Sequence, residues 1–342
     1  MSQEALDIRD LVLQRALFEP LRSSSVLVTG ATGLIGSMLL KTLHAANTAH
    51  GLGLRLIGQI RDPAKAARIF GDVAGDLELT TALDVPCSFV VHTLSPTSSR
   101  YFIEHPVETV RTSVESTIAV LESAVKSGAS VVYLSSMEQY GVPSEAGAIM
   151  TEDRLGTIDH LNIRSAYSES KRLCECLCAS YASEYGVNVK IARLAQTFGA
   201  GVPETDNRMP VQFARAAAEG RDIVLHTQGR SIMNFVYLTD ALGGILTLLS
   251  GGAAGHAYNV CNDGETRSVR DIAELVARQV AGGRIGVRVE IPEGSMGYAP
   301  DVDMRLCSDK LRALGWMPRV TMEDAYRRLA AYLREEGRLN ET

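Results

Sequence analysis

Tyr167 and Lys171, in the string Tyr167-Ser168-Glu169-Ser170-Lys171, are the pair in this chain best suited to move a proton. On a helix, four-residue spacing stacks the phenol beside the ammonium, whose charge favours phenolate in a group that otherwise ionises near ~10. Taken alone, the same spacing describes any solvated helix face. Upstream, however, lie the string Thr29-Gly30-Ala31-Thr32-Gly33-Leu34-Ile35-Gly36 and, between the two motifs, the pair Ser135-Ser136. Glycines after an apolar run and before a helical one let backbone approach a pyrophosphate at a positive helix end. Gly30, Thr32, Gly33, Leu34, Ile35 and Gly36 are therefore candidate cofactor contacts, and together with the phenol they point to hydride chemistry.

Those groups need strands and helices to hold them. Residues 25–29 read as a buried strand and 34–46 as the helix after the glycine turn. The alternation continues with strands at 54–60, 89–92, 130–134 and 189–194, and helices at 63–70, 107–127 and 167–185. Such alternation predicts an α/β fold, a doubly wound parallel Rossmann sheet with helices on both faces. Residues 5–21 read as an amphipathic helix ending near Pro20. After Gly199 the pattern becomes irregular, with a helix at 211–219 and a strand at 223–226, as expected of a smaller C-terminal substrate-binding lobe. The division expected is 1–24 as a helical extension, 25–198 as the nucleotide domain with 233–262 returning to it, and 199–232 and 263–342 as the lobe.

The 342 residues are 46% apolar and carry a net charge of -6, so no basic field exists to attract nucleic acid or an anionic membrane. Residues 1–25 contain Glu4, Asp7, Asp10 and Glu19 and no long apolar run, arguing against a signal peptide or anchor and for a cytoplasmic protein. The six cysteines suggest no disulfide framework. Cys174, Cys176 and Cys178 invite a metal reading, but alternate positions on a helix diverge by roughly 160°, so no metal site is expected.

The end of the second strand ordinarily selects the nicotinamide form, through an acid on the ribose 2'-hydroxyl or an arginine on a 2'-phosphate. In Gly58-Gln59-Ile60-Arg61-Asp62 the acidic slot holds Ile60 and Arg61 follows, which leaves NAD and NADP both open. Asp76-Leu77 is a candidate adenine contact or, equally, a solvated acid with its neighbour.

With these strings in place, the chain resembles the extended short-chain dehydrogenase/reductase family, and within it the NAD-dependent nucleotide-sugar epimerases, dehydratases and decarboxylases. The resemblance runs from about residue 25 to 329 and rests on TGATGLIG at 29–36, YLSSMEQYG at 133–141, YSESK at 167–171, ARLAQTFGAG at 192–201 and LGW at 314–316. It implies that Tyr167 transfers the proton, that Lys171 holds the nicotinamide ribose and that Ser136 hydrogen-bonds the reacting hydroxyl, usually at C4 of the sugar. It also implies that Glu138 marks follow-on chemistry at C5, since relatives with simple epimerase activity usually carry small neutral residues there. NAD is the form favoured by the family.

Departures from the family pattern fall on substrate placement. Met137 stands where glucose-type dehydratases place an aspartic acid, and Met233 and Ala299 stand where arginines commonly meet the diphosphate. The Met233 position also carries the arginine expected of UDP-glucuronate decarboxylases. Arg208, Arg230 and Arg305 are the candidate replacements, with Ser95 and Gln196 as further substrate contacts. Gln196 and Ser113 replace usual asparagines. The first reading is therefore an NAD(P)-dependent nucleotide-sugar epimerase/dehydratase. Its alternatives are a net ketoreductase or dehydrogenase on a non-nucleotide substrate and a cofactor-sensing binding protein. Relatives pair through the helix bearing the tyrosine and the long helix before it, so a homodimer is expected, with Leu173, Leu177, Ala179 and Ala182 available to that face.

Overall fold

Hydrophobic periodicity and punctuation by glycine and proline account for most element boundaries in the computed structural model, which describes residues 1–96, 98–292 and 301–340. The N-terminal helix α1 spans only Gln3–Val12, and residues 15–17 and 19–21 form separate tight turns. The longer helix expected over 5–21 ends at Val12 because Gln14, at φ -84° and ψ +59°, leaves helical geometry, and Pro20 sits early in the second of the two turns. Next come β1 (Ser25–Thr29), α2 (Leu34–His50), β2 (Arg55–Gln59), α3 (Pro63–Phe70), β3 (Glu78–Thr80) and β4 (Phe89–His92). Helix α2 runs past Ala46 to Gly51, whose φ of +57° gives a left-handed stop.

A short helix, α4 (Ser99–Glu104), precedes α5 (Pro106–Ser127), followed by β5 (Ser130–Ser136), β6 (Ile149–Met150), α6 (Ser165–Tyr185), β7 (Val189–Leu194) and β8 (Gln196–Phe198). The remaining elements are α7 (Met209–Glu219), β9 (Ile223–Leu225), β10 (Ile232–Tyr237), α8 (Leu238–Ser250), β11 (Ala257–Val260), β12 (Asn262–Ser268), α9 (Val269–Leu275), β13 (Val287–Val289), β14 (Asp303–Leu306), α10 (Asp309–Arg312) and α11 (Met322–Asn340). Ala299 lies outside the described residues.

Among the described residues, seven parallel strands form one sheet in the order β11-β7-β5-β4-β1-β2-β3. The order reverses between β1 and β4, which opens a crevice beyond their carboxyl ends. Alternation along β1 shows why both faces need helices: Val26 and Val28 enter the core beneath α2 and α8, whereas Leu27 enters the one beneath α5 and α6. Cys174 and Cys178 pack in that second core while Cys176 is exposed, so the three thiols diverge.

A second sheet gathers β12, β10, β14 and β6, with β8 paired to β10. Of residues 233–262, α8 and β11 lie on the large sheet, whereas β10 belongs to this second one. The lobe's own core includes Phe198, Phe235, Tyr237 and Tyr326, with Phe198 meeting Phe235 and Tyr237 edge-on. Helix α1 packs on α2, α8 and α11 and so bridges sheet and lobe. Its buried Asp7 accepts hydrogen bonds from Tyr237 Oη at 2.5 Å and Arg328 Nη1 at 2.9 Å. No described helix is long and apolar enough to cross a membrane.

Candidate active site

Strand β5 ends in two serines whose side chains take opposite directions. Ser135 turns toward α6 and donates to Glu175 Oε1 at 2.5 Å; Glu175 in turn accepts Arg193 Nη2 from β7 at 2.7 Å. Ser136 caps the tight turn Met137–Tyr140, accepting the Glu138 N–H at 3.2 Å, and the turn places Glu138 beside it. Helix α6 delivers Tyr167 and Lys171 from consecutive turns. Both are buried, and Lys171 Nζ donates to the Leu134 carbonyl at 2.7 Å while standing 5.7 Å from the centre of the Tyr167 ring.

Ser136 lies near enough to Tyr167 to ease its ionisation, so the strand end and the helix meet beside the phenol. Burial foremost, and then the Glu138 charge, raise the Tyr167 pKa, opposed by Ser136 and by the charge of Arg208. The facilitated ionisation expected from the tyrosine–lysine pairing is therefore outweighed by these two effects. Burial also pulls Lys171 down to about 8. The Glu138 carboxyl is raised by burial, with Arg164 acting against it. A carboxyl, a phenol, a hydroxyl and an ammonium thus converge, and such sets can transfer a proton and accept another nearby.

Beside this group runs a cleft of about 2340 Å³ at the crevice between β1 and β4. Gly30, Thr32, Gly33, Leu34 and Ile35 line it, as do Arg61, Ser95 and Arg208. A Cβ at Gly30 would stand 3.0 Å from the Leu94 backbone, at a φ of +61°. One at Gly36 would lie 2.6 Å from the Gly30 carbonyl, so this glycine sets the approach of α2 to its turn. The narrow backbone cradle, the helix start and the length of the cleft fit a dinucleotide.

Other candidates fall elsewhere. Asp76 pairs with His44 at 2.9 Å, Leu77 is buried in the core, and neither lines the cleft. Arg230 pairs with Asp301 at 2.9 Å and Arg305 with Asp303 at 2.7 Å, and neither reaches the cleft. Near carboxylates hold both guanidiniums in the lobe. Arg208 does reach it, held by Asp206 at 2.7 Å and donating to the Thr197 carbonyl at 3.0 Å. Gln196 pairs through β8 with Phe235 and is not part of the cleft wall, whereas Ser95 is, and its hydroxyl lies 3.3 Å from that of Ser113. Met137 is buried in the core beneath the turn, and Met233 packs partly buried in β10.

Sequence reasoning missed three neighbours. Phe102, from α4, stacks on the Tyr167 ring at 4.3 Å and 8°, and its neighbours Tyr101 and Ile103 line the cleft. Arg164, three residues before the tyrosine, lines the cleft and acts on Glu138. Buried Gln59 accepts the Gly30 N–H through its Oε1 at 3.0 Å and so fixes the glycine turn. An aromatic pair at 101–102 and a cation near the motif were the available signals.

The sequence pattern of the NAD dependent epimerase/dehydratase family matches residues 26–261. UDP-glucuronic acid decarboxylase 6 of Arabidopsis thaliana is 28% identical over 320 residues, covering 89% of each chain. UDP-glucuronic acid decarboxylase 1 of Xenopus tropicalis is 28% identical over 248 residues, 72% of this chain and 57% of that one. Among solved structures, an epimerase of Methanothermobacter thermautotrophicus superposes with a TM-score of 0.80 at 20% identity, covering 95% of this chain and 96% of that one. A double mutant of DesIV, the dTDP-glucose 4,6-dehydratase of Streptomyces venezuelae, gives 0.72 at 21%, covering 92% and 98%. With the glycine turn, the serine, the tyrosine and the lysine all inside the matched span, the chain belongs to the NAD dependent epimerase/dehydratase family, whose fold and enzyme class it shares.

Proposed function

We propose that the protein oxidises a hydroxyl of a nucleotide sugar, at C4, to a ketone and then acts on the adjacent C5. The observation that carries this reading is the placement of the Glu138 carboxyl in the same buried cluster as Ser136 and Tyr167. Bound NAD(P) would supply the hydride acceptor, held by the glycine turn and by Lys171. Ser136 orients the sugar hydroxyl, and Tyr167 takes its proton once the charge of Lys171 and of the oxidised cofactor offsets the burial of the phenol. A ketone at C4 acidifies the C5 proton. Glu138, raised in basicity by burial, is the group placed to remove it.

The decarboxylase relatives support a follow-on loss of carbon dioxide, in which the C5–C6 bond breaks into the C4 ketone and C5 gains a proton rather than losing one, so that Glu138 would act there as the acid; the methionines at 137 and 233 weigh against a glucose-type dehydration and against the arginine-dependent decarboxylase pattern. Exposed Val107, Val110 and Leu173 on α5 and α6 favour pairing of two copies through these helices. A monomeric mass at micromolar concentration would contradict that pairing.

The test is incubation with a panel of UDP-, dTDP-, GDP- and CDP-sugars, read by mass spectrometry for loss of water or carbon dioxide and by sugar analysis for isomerisation. Product formation without net change in reduced-nicotinamide absorbance is expected. Stoichiometric consumption of free NAD(P)H on a non-nucleotide carbonyl would replace this reading with a net reductase.

A further inference from the structure

The ammonium of Lys171 sits where a charge is hard to keep. The residue is buried, and the Glu175 carboxylate one turn along α6 is taken up by Ser135 and Arg193. The hydrogen bond to the Leu134 carbonyl at 2.7 Å occupies a single N–H of the ammonium. Burial pulls the amine down to about 8, with Cys174, Glu175 and Cys178 of the same helix acting against it. The imidazole of His92 on β4 is itself pulled down to about 3 by burial and by Lys171, and is uncharged at neutral pH.

What faces the ammonium at close range is aromatic. Nζ stands over the Tyr133 ring, 5.0 Å from its centre, and 5.7 Å from the centre of the Tyr167 ring. Both distances fall within the range at which the negative face of a ring attracts a cation, an attraction that strengthens away from water. Alternation along β5 explains the first ring: Val131 and Tyr133 enter the core beneath α5 and α6, whereas Val132 and Leu134 enter the opposite one. The Tyr133 hydroxyl has no hydrogen-bond partner among the described residues. An unpaired buried hydroxyl is unfavourable, so what Tyr133 offers the ammonium is its ring.

We propose that Tyr133 is a positioning residue for the proton transfer, its ring face holding the Lys171 ammonium between β5 and Tyr167 and keeping the proton on it. Without that proton Lys171 neither eases ionisation of the phenol nor presents a charge to the cofactor. The inference rests on the reading of Tyr167 and Lys171 as the reacting pair and goes beyond it in naming the group that maintains the charge of the lysine.

The test uses the full chain isotopically labelled at the lysine ε-carbons. The Lys171 magnetic resonance signal, identified by its loss in Lys171→Met, is followed through a pH titration that needs no substrate. Tyr133→Phe keeps the ring and should keep the parent's midpoint. Phenylalanines with increasing ring fluorination at position 133 weaken the negative face at nearly constant shape and should lower the midpoint stepwise. Tyr133→Leu should lower it by about one pH unit, so that roughly half of the molecules lose the charge near neutral pH. In each variant the alkaline limb of turnover should move down with the midpoint, since activity falls as pH rises through the value of Lys171. A midpoint indifferent to fluorination, or one that rises in Tyr133→Leu, overturns the hold of the ring on the ammonium. A midpoint that follows the ring while the alkaline limb stays fixed overturns its part in the reaction. Absence of turnover on every nucleotide sugar overturns the proposed function instead, while the lysine titration still decides the contact.

Discussion

Glu138 and Tyr167 share a small volume in which ionisation of one opposes ionisation of the other, and that coupling separates their roles. Tyr167→Phe should lower turnover by about 10²–10⁴-fold while nucleotide binding is retained, since only proton transfer is lost. Unchanged turnover would remove the phenol from the mechanism. Glu138→Gln should still reduce the cofactor on mixing with substrate but accumulate that reduced form, seen as persistent nicotinamide absorbance, because the C5 step stalls. Burial raises the Glu138 carboxyl, so the acid limb of the pH–rate profile should lie above the ordinary carboxylate range, activity falling as pH drops through it, and should vanish in the glutamine variant. Tyr167, Lys171, Ser136 and Glu138 were legible in the sequence because their relations are local, fixed by one helix pitch and one strand end. Phe102 and Arg164 were not, because their places depend on how α4 and the start of α6 fold over the site. Arg230 and Arg305 looked available in sequence, and only the folded lobe shows the aspartates that hold them.

The strand and the helix that carry Ser136, Tyr167 and Lys171 are fastened behind the candidate site by Ser135, Glu175 and Arg193, all buried. Arg193 also donates to Tyr140 Oη at 2.9 Å, tying β7 to the turn that presents Glu138. Arg193→Met would strand the Glu175 carboxylate in the core and should lower unfolding free energy by about 3–5 kcal/mol, read from urea titration. A loss below about 1 kcal/mol, as for an exposed pair, would refute this account. At the start of α2, Gly36→Ala would push a methyl into the Gly30 carbonyl and force the helix outward, so nucleotide affinity should fall more than stability does. The alternating strands and helices of the large sheet could be read in advance because each is long enough to show its period. The strands β6, β8 and β14 could not, since each has two to four residues and owes its conformation to partners far along the chain.

Two buried titratable groups make opposite demands on the stability of the whole molecule. Burial, and then the charge of Lys171, pull His92 down to about 3, so its contribution is complete above the unfolded value of 6.5 and is lost as pH falls toward 3. Burial pushes Asp240 up to about 6 against the hydrogen bonds it accepts from the Val320 and Arg319 N–H groups, so its contribution is complete below 3.8 and is lost as pH rises through 6. Between about pH 4 and 6 the folded state holds a proton on Asp240 that the unfolded chain lacks, and the unfolded chain holds one on His92 that the folded state lacks, so the two slopes cancel. Asp240→Asn should therefore gain on the parent by about 1.4 kcal/mol per pH unit across that window, and His92→Asn should gain on it as pH falls below 6.5. Urea titrations at several pH values check both, and parallel profiles for parent and variants would contradict the assignment.

The seat of α1 has a consequence for the order in which the molecule is built. This helix leaves the ribosome ahead of every strand, yet Arg328 and Glu335, which hold its Asp7 and the Gln3 N–H, lie more than three hundred residues later. Closing so distant a contact carries a large chain-entropy cost until the intervening sheet has formed. In pulse-labelled hydrogen exchange during refolding, the α1 amides should gain protection after those of β1 and α2. The cradle for the nucleotide would then exist as a folded unit before the latch that joins it to the lobe.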